Sequence, residues 1–122
     1  MKLKNDDIYI TYKKLLELIE TQKENFNVKL TFSIVKLLRN LTNPYDVIEE
    51  NKKIIIDKVG IINADNTDYT EESKQEITKQ LTELGQIEQE VDAVKINLSE
   101  LKDVSLSLET MNILYPFINE DA

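Results

Sequence analysis

The chain has 122 residues, with 15 Lys and Arg against 23 Asp and Glu (net charge −8), two glycines, two prolines, and no Cys, His or Trp. Without imidazole or thiol, serine–histidine and cysteine–histidine catalysis, the usual zinc sites and disulfides are excluded. With glycine only at Gly60 and Gly85, neither a dinucleotide loop nor a P-loop can be written, because both bring the backbone against phosphate at several positions.

A single domain over residues 1–122 is expected, since a chain of this length buries roughly two thirds of the surface its unfolded form exposes. Residues 6–23 carry Ile8, Tyr12, Leu15, Leu16 and Ile19 at helical spacing, with Lys13, Lys14, Glu17 and Glu20 on the other face and Asn5 or Asp6 as cap. Residues 26–32, Phe-Asn-Val-Lys-Leu-Thr-Phe, alternate with period two and predict a short half-buried strand, entered by a turn at Asn25 and Asn27. From Ser33 the spacing is helical again through Ile34, Leu37, Leu38, Leu41, Tyr45, Ile48, Ile55 and Val59. Asn43-Pro44-x-Asp46 would also start a helix, but the apolar stripe keeps its phase across the proline. One long helix is expected, kinked or briefly broken near residues 40–44 and ended by Gly60.

Residues 63–70 read as an exposed loop, and Thr70 caps a third helix with Glu71 and Glu72 in its first turn and Ile77, Leu81 and Leu84 on its apolar face. Gly85 is expected to stop it. Ile87, Val91, Val94, Ile96 and Leu98 then predict an extended segment with one bulge-like slip, pairing with residues 26–31. Ser99 is read as the cap of a single turn, and Ser105 or Ser107 as the start of a last helix with Leu108, Met111 and Leu114, stopped by Pro116. The expected fold is α+β: three main helices, the second long and kinked near Pro44, a two-stranded antiparallel sheet and a C-terminal helix. An all-α bundle is the alternative.

Charge is unevenly spread. Residues 1–60 hold 11 basic and 9 acidic side chains (+2) and residues 61–122 hold 4 and 14 (−10), which sum to −8. A chain with one arginine, Arg39, and so acidic a half is a poor ligand for nucleic acid or for an anionic membrane. Apolar runs such as Ile54-Ile55-Ile56 fall far short of the ~20 residues of a membrane span, and no secretory leader is seen. A cytoplasmic protein is expected. The acidic half reads either as a solubilising surface or as a face that docks on a basic partner, carried by Glu71, Glu72, Glu76, Glu83, Glu88, Glu90 and Asp92.

Asn63, Asp65 and Thr67 match the first, third and fifth positions of an EF-hand loop, but Asp68 and Lys74 stand where its glycine and bidentate glutamate belong. Calcium binding is not expected. Glu49-Glu50, Glu71-Glu72 and Glu88-x-Glu90-x-Asp92 lack any metal-site pattern, and no metal or cofactor is expected. As a strand, the last set lines one face, directed away from Ile87, Gln89 and Val91, and is self-repelling unless exposed or met by cations. Tyr9, Tyr12, Phe26, Phe32 and Tyr45 lie in phase with the apolar stripes and read as core anchors. Tyr69, Tyr115 and Phe117 are not placed by them. The end Tyr115-Pro116-Phe117-Ile118 is either packed on its own core or an interface patch.

The start Met1-Lys2-Leu3-Lys4-Asn5, the passage 28–34 (Val-Lys-Leu-Thr-Phe-Ser-Ile), the stretch 49–55 (Glu-Glu-Asn-Lys-Lys-Ile-Ile) running to Gly60, and the tail 94–101 resemble small phage and prophage proteins of unknown function from low-GC Gram-positive hosts. That resemblance lies in patterning and implies no catalytic residue. The expected function is non-enzymatic: binding a host or phage protein with a basic surface, as an inhibitor of a host defence complex that handles nucleic acid. Homodimerisation is left open. The alternative is a phage assembly factor or virion component that self-associates, and a carboxylate-based metal hydrolase is a distant third.

Overall fold

The computed structural model describes residues 1–21, 25–62, 64, 68–92, 94–102 and 104–119. In chain order these form β1 (Lys2–Lys4), α1 (Asn5–Thr21), α2 (Val28–Val59), α3 (Glu71–Gln86), β2 (Glu88–Glu90), β3 (Ile96–Asn97), a 3-10 turn (Leu98–Leu101), α4 (Leu108–Leu114), a second 3-10 turn (Tyr115–Phe117) and β4 (Ile118–Asn119). The class is α+β with a long second helix, a small antiparallel sheet and a C-terminal helix, as the sequence predicts.

The sheet, however, is made by different residues. The predicted strand at 26–32 is the start of α2. Asn27 takes an extended backbone and its Oδ1 accepts from the Leu30 amide at 2.8 Å, satisfying one of the donors a helix start leaves open. Its Nδ2 donates to the Glu100 carbonyl at 2.8 Å. The strand partner of β2 is instead β1, with Lys2 opposite Glu90, Leu3 opposite Gln89 and Lys4 opposite Glu88. A second, parallel pair joins β3 to β4 through Ile96–Ile118 and Asn97–Asn119, so the predicted extended segment 87–97 splits between two sheets.

Pro44 lies inside α2 without interrupting it, although it offers no N–H to the Asn40 carbonyl. Gly60 caps the helix end, donating its N–H to the Ile56 carbonyl at 2.8 Å. α3 starts where expected, with Thr70 Oγ1 accepting from the Ser73 amide at 3.2 Å. Gly85 does not stop α3. It is buried within the helix, and a Cβ there would run into the Asp6 carboxylate, so the missing side chain leaves room for the Asp6 side chain of α1 against α3. Asn97, rather than Ser99, caps the first 3-10 turn, with its amide donating to Glu100 Oε2 at 2.8 Å. Ser107 caps α4 by accepting from the Thr110 amide at 3.1 Å.

The core lies between α1, the first two thirds of α2 and the C-terminal segments. Ile8, Leu15 and Leu18 pack with Leu30, Ile34, Leu37, Leu41 and Ile48, closed by Val91, Ile96, Leu114 and Phe117. Tyr45 stacks on Tyr12 (4.1 Å between ring centroids) and Tyr9 (5.5 Å), and the Lys52 ammonium sits 4.4 Å above the Tyr9 ring, so these three tyrosines tie α1 to α2. Beyond Ile48 no residue of α2 is buried, and α3 buries only Ser73 and Gly85. The last third of α2 and the α3 turns between Ser73 and Gly85 thus lie outside the fully buried core, with half-buried side chains between them.

Candidate protein-binding surfaces

The seven acidic residues singled out in sequence fall into three different settings. On α3, the turn of the helix places Glu72, Glu76 and Glu83 within about 40° of one another, with Lys79 on the same stripe. This side faces away from the half-buried Ile77, Leu81 and Leu84. Among the described residues Glu72 and Glu83 have no ion-pair partner, while Glu76 accepts from Gln80 Nε2 at 2.8 Å. Glu71 sits off this stripe and lies 3.5 Å from Lys74 Nζ.

On β2 the expected self-repulsion is relieved by cations from the other end of the chain. Lys4 and Lys2 stand opposite Glu88 and Glu90 in the register, cross-strand neighbours of opposite sign, and the Lys4 ammonium itself donates to Gln86 Oε1 at 3.2 Å. The Met1 ammonium also donates to Glu90 Oε1 at 2.9 Å. This hydrogen bond, with the charge behind it and that of Lys2, holds the Glu90 carboxyl below its usual pKa. Asp92 is in neither place: exposed, it lines a hollow with Phe32, Lys36 and Lys95, and its backbone carbonyl accepts from Asn40 Nδ2 at 3.0 Å.

The C-terminal patch also divides. Tyr115 is 66% exposed, whereas Phe117 is 3% exposed and belongs to the core. Of the EF-hand-like loop, Asn63, Asp65 and Thr67 lie outside the described residues. Asp68 is engaged by Lys74 Nζ at 2.7 Å and by the Tyr69 amide at 2.8 Å, and these two hydrogen bonds hold its carboxyl below the usual range. No group of three or more acidic side chains is placed to hold a metal ion among the described residues. No helix is long and apolar enough among them to cross a membrane.

The two depressed carboxyls set a pH dependence. A carboxyl whose pKa is lowered by folding stabilises the fold above its unfolded value, and that contribution is lost as pH falls through the lowered value. In an NMR titration Glu90 and Asp68 are expected to protonate below the ordinary carboxylate range. Acetylating the N-terminus should return Glu90 to the usual range and leave Asp68 unmoved, and Lys74→Gln should do the converse. Titration of both in the ordinary carboxylate range would contradict these contacts.

One surface escaped sequence reasoning. Val28, Phe32 and Val35 recur on the solvent side of α2 at 87%, 69% and 40% exposure, opposite the fully buried Leu30, Ile34, Leu37 and Leu41. Phe32 is therefore not a core anchor, unlike the half-buried Tyr9, Tyr12, Phe26 and Tyr45. The signal was in the alternation at 26–32, which a helix wheel resolves into two apolar sides. Comparison with known proteins adds nothing to this geometry, as no protein-family model, curated protein or solved structure matches the chain.

Proposed function

We propose that this is a non-enzymatic, phage-type protein-binding factor that sets the exposed acidic stripe of α3 against a basic surface of a host protein in the cytoplasm. The supporting observation is that Glu72 and Glu83 are exposed on one side of α3 with Glu76 between them and no ion-pair partner for the outer two among the described residues. The carboxylates of β2 contribute less, because Lys2 and Lys4 stand across from them. A host defence complex that handles nucleic acid is the form of partner we favour. Its phosphate-binding channel is basic, and an acidic helix docked there excludes nucleic acid by charge and bulk.

The triple reversal Glu72→Lys, Glu76→Lys, Glu83→Lys is expected to weaken binding of the host partner by about tenfold at low salt and to flatten its salt dependence. Titration at two ionic strengths checks this, and unchanged affinity and salt slope would sink the proposal. The competing reading, an assembly factor that self-associates, draws on the exposed Ile54, Ile61, Ile62 and Tyr115. A higher-order ring on sizing chromatography would favour it, whereas a monomer or dimer leaves the inhibitor standing.

A further inference from the structure

We propose that the first three turns of α2 form a second docking site, of opposite sign to α3, for an acidic amphipathic helix of another protein. Val28, Phe32, Val35 and Arg39 follow one another at i, i+4, i+7 and i+11, within about 60° on the helix wheel. The opposite side of the same turns is already consumed by the core through Leu30, Ile34, Leu37 and Leu41, so the exposed strip is not waiting for the chain's own interior. Phe32 stands as a ridge between two hollows. One, of about 420 Å³, is floored by Asn97 and Ser99 beside Val28. The other, of about 650 Å³, lies between Lys36, Asn40 and Lys95. Side chains of a partner helix spaced at i, i+3/i+4 and i+7 would straddle the ring and enter both.

Charge selects the partner. From Val28 to Tyr45, α2 contains Lys29, Lys36 and Arg39 and no acid. Lys95 joins them at the second hollow, and none of the four has an ion-pair partner among the described residues. Two carboxylates share the site, Glu100 in the lining of the first hollow and Asp92 in that of the second, so the four cations exceed them by two. Glu100 is occupied, its Oε1 accepting from Ser33 Oγ at 2.6 Å and its Oε2 from the Asn97 amide at 2.8 Å. On a chain of net charge −8, this is an apolar strip with a cationic rim, complementary to an apolar helix face with acidic flanks. A second copy is disfavoured. Strip against strip would oppose like charges, and strip against the α3 stripe would leave Phe32 facing only Glu72, Glu76, Lys79 and Glu83. Nucleic acid is disfavoured by the acidity of the whole chain.

The test uses three fluorescein-labelled helical peptides of about 16 residues, long enough to span the strip at 1.5 Å per residue, sharing one leucine face and flanked by Glu, Ser or Lys. By anisotropy the Glu-flanked peptide is expected to bind about tenfold tighter than the Ser-flanked one, with the Lys-flanked peptide weakest. Phe32→Ser should weaken the Glu-flanked peptide about tenfold with an unchanged thermal midpoint. Val28→Asp, which favours a helix start, should weaken it without any cost in folding. Lys29→Glu with Lys36→Glu should invert the order of preference. Equal binding of the three peptides, or full retention in both Phe32→Ser and Val28→Asp, overturns the proposal. So does a dimer in sedimentation that Phe32→Ser dissolves, which makes a second copy the occupant. Phe32-dependent binding of labelled oligouridine overturns it in favour of nucleic acid.

Discussion

Ile34→Ala is expected to lower the unfolding free energy by about 2–5 kcal/mol, while Phe32→Ser, two residues earlier, should cost less than about 0.5 kcal/mol. The contrast follows from the helix. At 100° per residue the two side chains lie about 200° apart, which buries Ile34 completely in the core and leaves Phe32 69% exposed. Removing three carbons from Ile34 gives up transfer free energy and leaves a cavity among Leu15, Leu30, Leu37 and their neighbours, which side chains on α1 and α2 are too constrained to fill. Were the alternation of 26–32 carried on as a strand through residue 34, positions 32 and 34 would instead share a face and respond alike. Urea denaturation of the two variants, with slopes compared to confirm two-state behaviour, separates the alternatives. Similar losses at both positions would contradict a helix beginning at Val28.

That segment shows where the sequence misleads and why. Period two normally marks one wet and one dry side, but here Val28 and Phe32 belong to one exposed strip and Leu30 to the core, so a helix with two apolar sides mimics a strand. Signals confined to a few neighbouring residues were legible: Thr70 and Ser107 cap their helices and Gly60 ends α2. Signals that depend on distant partners were not. β1 is three residues long and acquires its meaning only from β2, more than 80 residues away. Gly85 looks like a helix stop until Asp6 is placed against it, and Asn5 looks like a cap until Leu84 and Gln89 claim its side chain.

The candidate surface was legible to the same extent. That Glu71, Glu72, Glu83, Glu88, Glu90 and Asp92 are exposed follows from their chemistry. Which of them are answered by cations does not, because the +2 and −10 halves of the chain interleave in space. Lys2 and Lys4 cross to β2, while Asp92 shares a hollow with Lys36 and Lys95 without an ion pair to either. Tyr115 and Phe117, two residues apart, part company for a similar reason: the 3-10 turn carries one outward and drops the other beside the core. On the α3 stripe, Glu72 and Glu83 keep the acidity that composition suggested, with no ion-pair partner among the described residues.

The second large effect is expected at Asn5, whose replacement by leucine should cost about 2–4 kcal/mol. Asn5 is 4% exposed, and every polar group it offers is used. Its backbone amide donates to the Ile87 carbonyl at 2.9 Å, its Nδ2 to the Leu84 carbonyl at 2.9 Å, and its Oδ1 accepts from Gln89 Nε2 at 2.8 Å. The same Gln89 Nε2 reaches the Pro44 carbonyl at 3.2 Å. One side chain thereby joins the start of α1, the end of α3 and β2, and through Gln89 the middle of α2. Leucine would strip the Leu84 carbonyl of one of its two donors, leaving the Ile87 amide at 3.2 Å, and would strand half of the Gln89 amide, at a cost of about 1–3 kcal/mol for the unpaired group and less for the carbonyl. Gln89→Leu alone strands Asn5 Oδ1 and should cost about 1–3 kcal/mol by the same reasoning. With both replaced, the shared hydrogen bond is lost only once, so the double variant should be more stable than the sum of single losses predicts by about 0.5–3 kcal/mol. A complete double-mutant cycle by chemical denaturation measures this directly. Losses that simply add would mean that Asn5 and Gln89 act independently, and that the hydrogen bond between them contributes nothing to the tie between the small sheet and α1.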